Sequence, residues 1–444
     1  MFEKICIILL ANLIFYCKTI KYGYCSDDIP SSQRPKDKNK WLHAFWTLEG
    51  NQKSTPEIDH AITMLLHTLV CIGIYLGFGH NGVSFLASLL FAFNPINNQG
   101  AVWISGRGYV LSALGMVWAL ALPMEMGGLM LLGATYSNAG FLMPVVLIGS
   151  SHPFLLIFMP LVWLYHWKFF KKNVGDKMKM EVFTEDKHIH PKKFILALKT
   201  FGFYLSHSLI PIKTTFYHSL LESIAGSRVA KAYTLCKFFW FGLFSICAMI
   251  FYVCTHKWDM VCFGMLWWCV GIAPFCNFYR MQQEIGERYA YLANVGLMVV
   301  LASFIYHYGY LVGFFMAMYA TKMWFYVEAY KDDFWLIEYA RLNSPDSWFA
   351  WHISAMKRLE KKSHNEALIF WVIAKSISPK EFKILYNIAV MLVMLNNRPE
   401  ALRFLAEAEA NIPRGQEESG GKLVSQFREG LTNPQKVMQI PILC

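Results

Sequence analysis

Apolar and polar positions follow one another in long blocks, and hydrophobic runs of membrane-crossing length recur, as at 59–79, 128–149, 233–254 and 289–307. A helix needs roughly 20 such residues to cross the hydrocarbon of a bilayer. The pattern therefore predicts an all-α polytopic membrane bundle of about 11 spans. These fall near 3–20, 59–79, 83–104, 107–122, 128–149, 152–167, 195–212, 233–254, 260–276, 289–307 and 309–325. The first run, EKICIILLANLIFYC, has the length of a signal-peptide core, but no small-x-small cleavage site follows it. It reads as an uncleaved span. The break at Ser105-Gly106-Arg107-Gly108 and the run at 195–212 also fit a re-entrant or interfacial helix.

The pattern changes near residue 331. Pro345, Pro379 and Pro413 stand 34 residues apart, and the positions between them repeat as well. Trp348 matches Phe382, Ala355 matches Ala389, Glu366-Ala367-Leu368 matches Glu400-Ala401-Leu402, and Ala374 matches Ala408. That is the tetratricopeptide period, with small residues where two helices of a repeat press together. Ala340, 34 residues before Ala374, marks half a unit more. The expected organisation is a membrane domain at 1–330, repeats at 331–413 and a mobile tail or imperfect cap at 414–444.

Composition agrees: 55% of the 444 residues are hydrophobic and only 16% charged, against about 25% in soluble domains. A soluble α/β enzyme is excluded. The net charge of +11 does not point to nucleic acid, because lysines gather between Lys168 and Lys199, in a loop between apolar runs. Basic loops of this kind stay in the cytosol. Counting crossings from there puts the first loop at 21–58, the polar segment Gln282–Arg288 and everything after about 326 on the extracytoplasmic face. The membrane itself is either the endoplasmic reticulum or a bacterial inner membrane.

The eleven cysteines form no metal or disulfide framework; Cys262, Cys269 and Cys276, at heptad spacing, read as small residues at helix contacts. His60 with His67, and His188 with His190, read the same way. No cofactor is called for with certainty, and a divalent ion is left open.

Three places carry candidate chemistry. Asp27 and Asp28 form a carboxylate pair just past the first span, where one acid can take a proton from an acceptor hydroxyl. Solvated loop residues are the plainer account of the same pair. Glu287 and Arg288 open a later span, and Arg288 suits a phosphate by its fork geometry, or simple interfacial anchoring beside Tyr289 and Tyr291. Arg107 sits at a break between helices, where a charge is costly unless paired.

Between Ser84 and Leu120 the stretch FLASLLFAFNPINNQGAVWISGRGYVLSALGMVWAL resembles a segment of the transmembrane and tetratricopeptide-repeat O-mannosyltransferases. FGFYLSHSLIPIKTTFY at Phe201–Tyr217 and ERYAYLANVG at Glu287–Gly296 resemble two further signatures, in the same order and ahead of the repeats. The resemblance implies a multi-span glycosyltransferase of the GT-C type that uses a lipid-phosphate sugar. It further implies an acidic pair at Asp27 and Asp28, site roles for Arg107, Glu287 and Arg288, and repeats that present a surface to a protein acceptor. Two departures stand out: Asn94 replaces the family's His, and Ile148-Gly149-Ser150-Ser151-His152 replaces its Ser-Lys-Glu motif.

The expectation is thus a glycosyltransferase moving a sugar, mannose by this likeness, from polyprenyl- or dolichyl-phosphate to a protein Ser or Thr. Asp27 or Asp28 is the base; Arg107, Glu287 and Arg288 attend the donor phosphate. The alternative is an inactive membrane scaffold that recruits protein partners through its repeats. A transporter is disfavoured by the scarcity of intramembrane charge pairs and of inverted-repeat halves.

Overall fold

A computed structural model describes residues 1–29, 55–131, 147–148, 150, 153–161, 163–164, 192–220, 234–278, 285–412, 417–432 and 442–443. Among the described residues every regular element is helical. The chain divides into two compact units, one formed by 1–216 and 235–336, the other by 217–234 and 337–444.

In unit 1, α1 (Phe2–Tyr16) runs into a tight turn at Cys17–Lys21 and is followed by α2 (Pro56–Gly77) and α3 (Gly82–Phe93). Next come α4 (Arg107–Ala121), α5 (Lys192–Leu209), α6 (Lys237–Thr255), α7 (Met260–Ile272), α8 (Tyr291–Ile305) and α9 (Gly309–Val327). Local chemistry sets these limits. Pro56 occupies the first turn of α2 with Glu57 and Asp59 beside it, where a missing N–H costs nothing and acids meet the positive end of the helix dipole. Asn81 and Ser84 cap α3 reciprocally, and Asp259 accepts the Cys262 N–H at 2.8 Å to start α7.

Among the described residues four segments are long and apolar enough to cross a membrane: Pro56–Gly77, Ile104–Ala121, Lys237–Thr255 and Glu287–Ile305. The expected continuous span at 83–104 breaks. Asn94 precedes Pro95, which disfavours helix at that residue, and the chain continues through buried short turns at Pro95–Asn97, Asn98–Ala101 and Ile104–Gly106. Side chains satisfy the freed backbone: Asn94 Oδ1 accepts the Ile96 N–H, and Asn97 Nδ2 donates to Phe91 O at 2.8 Å. Irregular backbone is tolerated here because protein covers it. The expected spans at 128–149 and 152–167 lie mostly outside the described residues. So do the basic loop to Pro191 with His188 and His190, the first loop beyond Ile29, and Gln282, Gln283 and Glu284.

The cysteines at heptad spacing form no cluster: Cys269 Sγ lies 3.8 Å from Met249 Sδ, while Cys276 donates to its own helix at Ile272 O. His67 Nδ1 sits 2.6 Å from the Tyr291 hydroxyl, and His60 Nε2 3.3 Å from Gly23 O.

Unit 2 begins within α10 (Asp333–Asn343) and continues through α11 (Trp348–Glu360), α12 (His364–Ile377), α13 (Phe382–Met394), α14 (Arg398–Glu409) and α15 (Glu417–Thr432). The 34-residue period reappears in the backbone. Lys362 and Asn396, 34 apart, both adopt φ of 60° between the helices of a pair. Lys362 N–H bonds Leu359 O at 2.8 Å and Asn396 N–H bonds Val393 O at 2.9 Å. Ala355, Ala367, Ala374, Ala389, Ala401 and Ala408 are all fully buried, beside Trp371 and Phe382. The segment from 414, expected as a mobile tail or imperfect cap, holds a helix at Glu417–Thr432. α15 buries Val424 and Phe427, the latter 5.6 Å from the Tyr386 ring, because its apolar residues recur at helical spacing and cover the exposed side of the last pair.

Candidate functional site

The acidic segment after α1 is held residue by residue within unit 1. Gly23 N–H donates to Lys331 O at 3.0 Å, Tyr24 Oη to Asp59 Oδ2 at 2.9 Å, and Trp103 Nε1 to Cys25 O at 3.3 Å. Ser26 N–H donates to Asp333 Oδ1 at 2.7 Å while its φ of 50° lies in the left-handed region, which is costly for serine and persists because its neighbours fix it. Segments far apart in sequence, from α1, α2, the turns before α4 and the start of α10, thus converge on one short loop.

That loop gives its two carboxylates different surroundings. Asp27 is exposed. Asp28 is fully buried and accepts both the Ser105 N–H at 2.7 Å and the Ser105 hydroxyl at 2.5 Å. Burial pushes the Asp28 carboxyl up to about 7, against the opposing pull of those Ser105 bonds. Asp28 therefore anchors the loop, and Asp27 is the carboxylate presented outward.

The two expected arginines also part company. Arg107 was to meet a donor phosphate, yet it is buried with its donors committed: Nε to Thr63 Oγ1 at 3.0 Å, Nη2 to Asp59 O at 2.8 Å and to Asp59 Oδ1 at 3.2 Å. Asp59 in turn holds Tyr24, so Arg107 supports the acidic loop from behind. Arg288 is placed differently, among aromatic rings. Its guanidinium stands over the Trp103 ring at 5.1 Å and the Tyr289 ring at 4.7 Å, and the Arg288 main-chain N–H donates to Gln99 Oε1 at 2.7 Å. Tyr289 stacks flat on Phe275 at 4.6 Å, which extends the aromatic wall. Cation–ring contact helps to hold this guanidinium in place, and its Nη2 also donates to the Tyr289 hydroxyl at 3.3 Å.

Glu287 points elsewhere. It accepts the Thr215 N–H at 2.9 Å and the Tyr326 hydroxyl at 2.8 Å, with His207 Nε2 at 3.3 Å, so it ties α5, α8 and α9 together. Asn94 donates to Ser208 O at 2.9 Å and accepts the Ile96 N–H, which caps a turn. The sequence reading missed Asp59, Ser105, Trp103 and Asp333. Asp59 alone had a visible mark, an acid at the head of an apolar run, where charge calls for a partner; the others come together only through folding. Comparison with protein-family models, with curated proteins and with solved structures finds no match.

Proposed function

We propose that this chain is a membrane glycosyltransferase that moves one sugar, mannose by the likeness of its motifs, from a polyprenyl- or dolichyl-phosphate carrier to a Ser or Thr hydroxyl of a protein acceptor. In this reading unit 1 belongs to a bundle of about 11 spans, the helix pairs of unit 2 are tetratricopeptide repeats, and the reaction takes place on the extracytoplasmic side. The observation that carries it is an outward carboxylate, Asp27, on a loop held by hydrogen bonds, together with a guanidinium, Arg288, that stands over the ring of Trp103, whose Nε1 bonds that same loop at Cys25 O.

The chemistry needs both. Asp27 removes the proton of the acceptor hydroxyl as its oxygen attacks the anomeric carbon. The bond from that carbon to the phosphate oxygen breaks on the opposite face, the configuration inverts, and the lipid phosphate leaves with the electron pair. Arg288 meets the charge that develops there. Asp28 and Arg107 act as positioning residues, through the loop and through Asp59. The commitment of Arg107 to Asp59, together with the replaced Ser-Lys-Glu motif, is what favours a scaffold that has lost the enzyme's chemistry.

Membranes supplied with radiolabelled lipid-phosphate mannose and Ser/Thr acceptor peptides decide between the readings. The parent chain should transfer label; Asp27→Asn should lower turnover roughly 100- to 10,000-fold with donor binding retained. Arg288→Ala should weaken donor binding as well. A parent chain without transfer, or an Asp27→Asn variant as fast as the parent, leaves the scaffold.

A further inference from the structure

A second built polar site lies within unit 2. Asn387, in the apolar helix α13, is fully buried, and both edges of its side-chain amide meet the main chain of one distant residue. Nδ2 donates to Leu443 O at 2.7 Å, and Oδ1 accepts the Leu443 N–H at 2.9 Å. The side chains of Ile442 and Leu443 pack against the same apolar cluster that contains Tyr386, Met391 and Leu405.

We propose that this face of α13 is a binding site for an extended peptide main chain carrying bulky aliphatic side chains, and that Ile442–Leu443 is its own-chain occupant, which an outside peptide must displace. A carboxamide offers one donor and one acceptor side by side, which matches the C=O and N–H of a single extended residue whatever its side chain. Such pairing gives affinity without sequence, and the apolar contacts then select residues of the Ile and Leu kind. A buried amide stripped of both partners is costly, so the site is filled from within or from outside. The repeat does not demand it: the position 34 residues earlier is Ile353, so the asparagine is particular to this helix pair. The unit would then engage partners only in competition with its own segment. This holds whether or not the chain transfers sugar, and its test reads peptide binding alone.

The experiment uses the full chain in nanodiscs. Its probe is a fluorescent peptide that displays Ile-Leu in an extended, amide-capped frame. Leu443→Pro deletes the N–H that Asn387 accepts without touching α13, and should tighten probe binding about tenfold, the worth of a displaced competitor held by one to two hydrogen bonds. Adding Asn387→Ala to Leu443→Pro should lose that binding by about tenfold or more, and the near-isosteric Asn387→Asp, which keeps only the acceptor, should fall between. In the parent chain the Leu443 amide should be protected from hydrogen exchange, and in Asn387→Ala unprotected. An unprotected Leu443 amide in the parent, or equal probe binding with and without the Asn387 amide, overturns the proposal. If Asn387→Ala does not fold, the Asp variant and Leu443→Pro decide it alone.

Discussion

In unit 1 the closest helix approaches run through glycine. A Cβ on Gly202 of α5 would land on the carbonyl oxygen of Phe238 in α6, and one on Gly242 would land on Leu198 O. A Cβ on Gly296 of α8 would stand 2.6 Å from the Cβ of Trp267 and 2.5 Å from the Gly264 carbonyl of α7. In unit 2 the matching places hold alanine, fully buried against tryptophan and phenylalanine. Where both the surroundings and the helices are apolar, burial gives little drive, and backbone proximity with polar ties must supply cohesion. The helix pairs of unit 2 draw on apolar burial as well, and one methyl group per contact suffices there. The acidic loop is the extreme of the first style, fixed almost wholly by hydrogen bonds.

The sharpest way to break this contrast is pH, because a buried carboxyl ties the acidic loop to it in a direction of its own. Asp28 binds its proton near pH 7 in the folded chain and near its ordinary 3.8 when unfolded. A carboxyl with a raised folded value contributes stability that is complete below about pH 4 and is lost as pH climbs through about 7. Three units or so of shift correspond to about 4 kcal/mol. Chemical denaturation followed in unit 1 should show that slope, and Asp28→Asn, which still accepts from Ser105, should abolish it. Hydrogen exchange in the α11–α14 helices should not follow the same curve. A slope unchanged in Asp28→Asn would assign the effect to another group.

Next in size is the glycine contact. Gly202→Leu forces α5 and α6 apart, since the obstacle is backbone and cannot swing aside, and should cost about 3 kcal/mol. Thermal unfolding in detergent measures it. Gly313 of α9, with nothing near its missing Cβ, is the control, and Gly313→Leu should hold or raise the melting point, since it removes a poor helix former from a helix interior. Equal loss in both variants would mean that the close approach at Gly202 is not what the substitution disrupts.

How far the sequence announces these features follows from the range of the interactions behind them. The 34-residue period is local, repeated and carried by residue size, so it is legible in the residues alone, down to Ala355, Ala389 and Ala401. Apolar block length likewise reveals helices such as Pro56–Gly77 and Lys237–Thr255. The carboxylate pair is visible too, but not its division of labour, because Asp28 is distinguished from Asp27 only by Ser105, 77 residues away. Arg107 and Arg288 look alike in the sequence; Asp59 and the Trp103 ring separate them, and neither partner is within a helical turn. The helix at Glu417–Thr432 is hidden by Gly420 and Gly421, although Gly420 sits against Ile412 and Gly421 has open space beside it.

The smallest effect tests the alanine half of the comparison. Ala401 is fully buried where α13 and α14 meet, and its neighbour Leu402 is 50% exposed, so size rather than hydrophobicity decides the order of the two positions. Replacing Ala401 by Leu adds three carbons to a packed contact and should cost about 1–3 kcal/mol, as the helices shift or the new side chain leaves its preferred rotamer. Ala367, 34 residues earlier and equally buried, should respond alike, because the two pairs repeat one geometry. Leu402→Ala should change stability by no more than about 0.5 kcal/mol, as surface substitutions do. Hydrogen exchange across α13 and α14 of the full chain reads all three variants in the unit concerned. A harmless Ala401→Leu beside a costly Leu402→Ala would mean that α14 presents the opposite face to its partner; a costly Ala401→Leu with a harmless Ala367→Leu would mean that the two pairs, although alike in period, are packed to different tolerances.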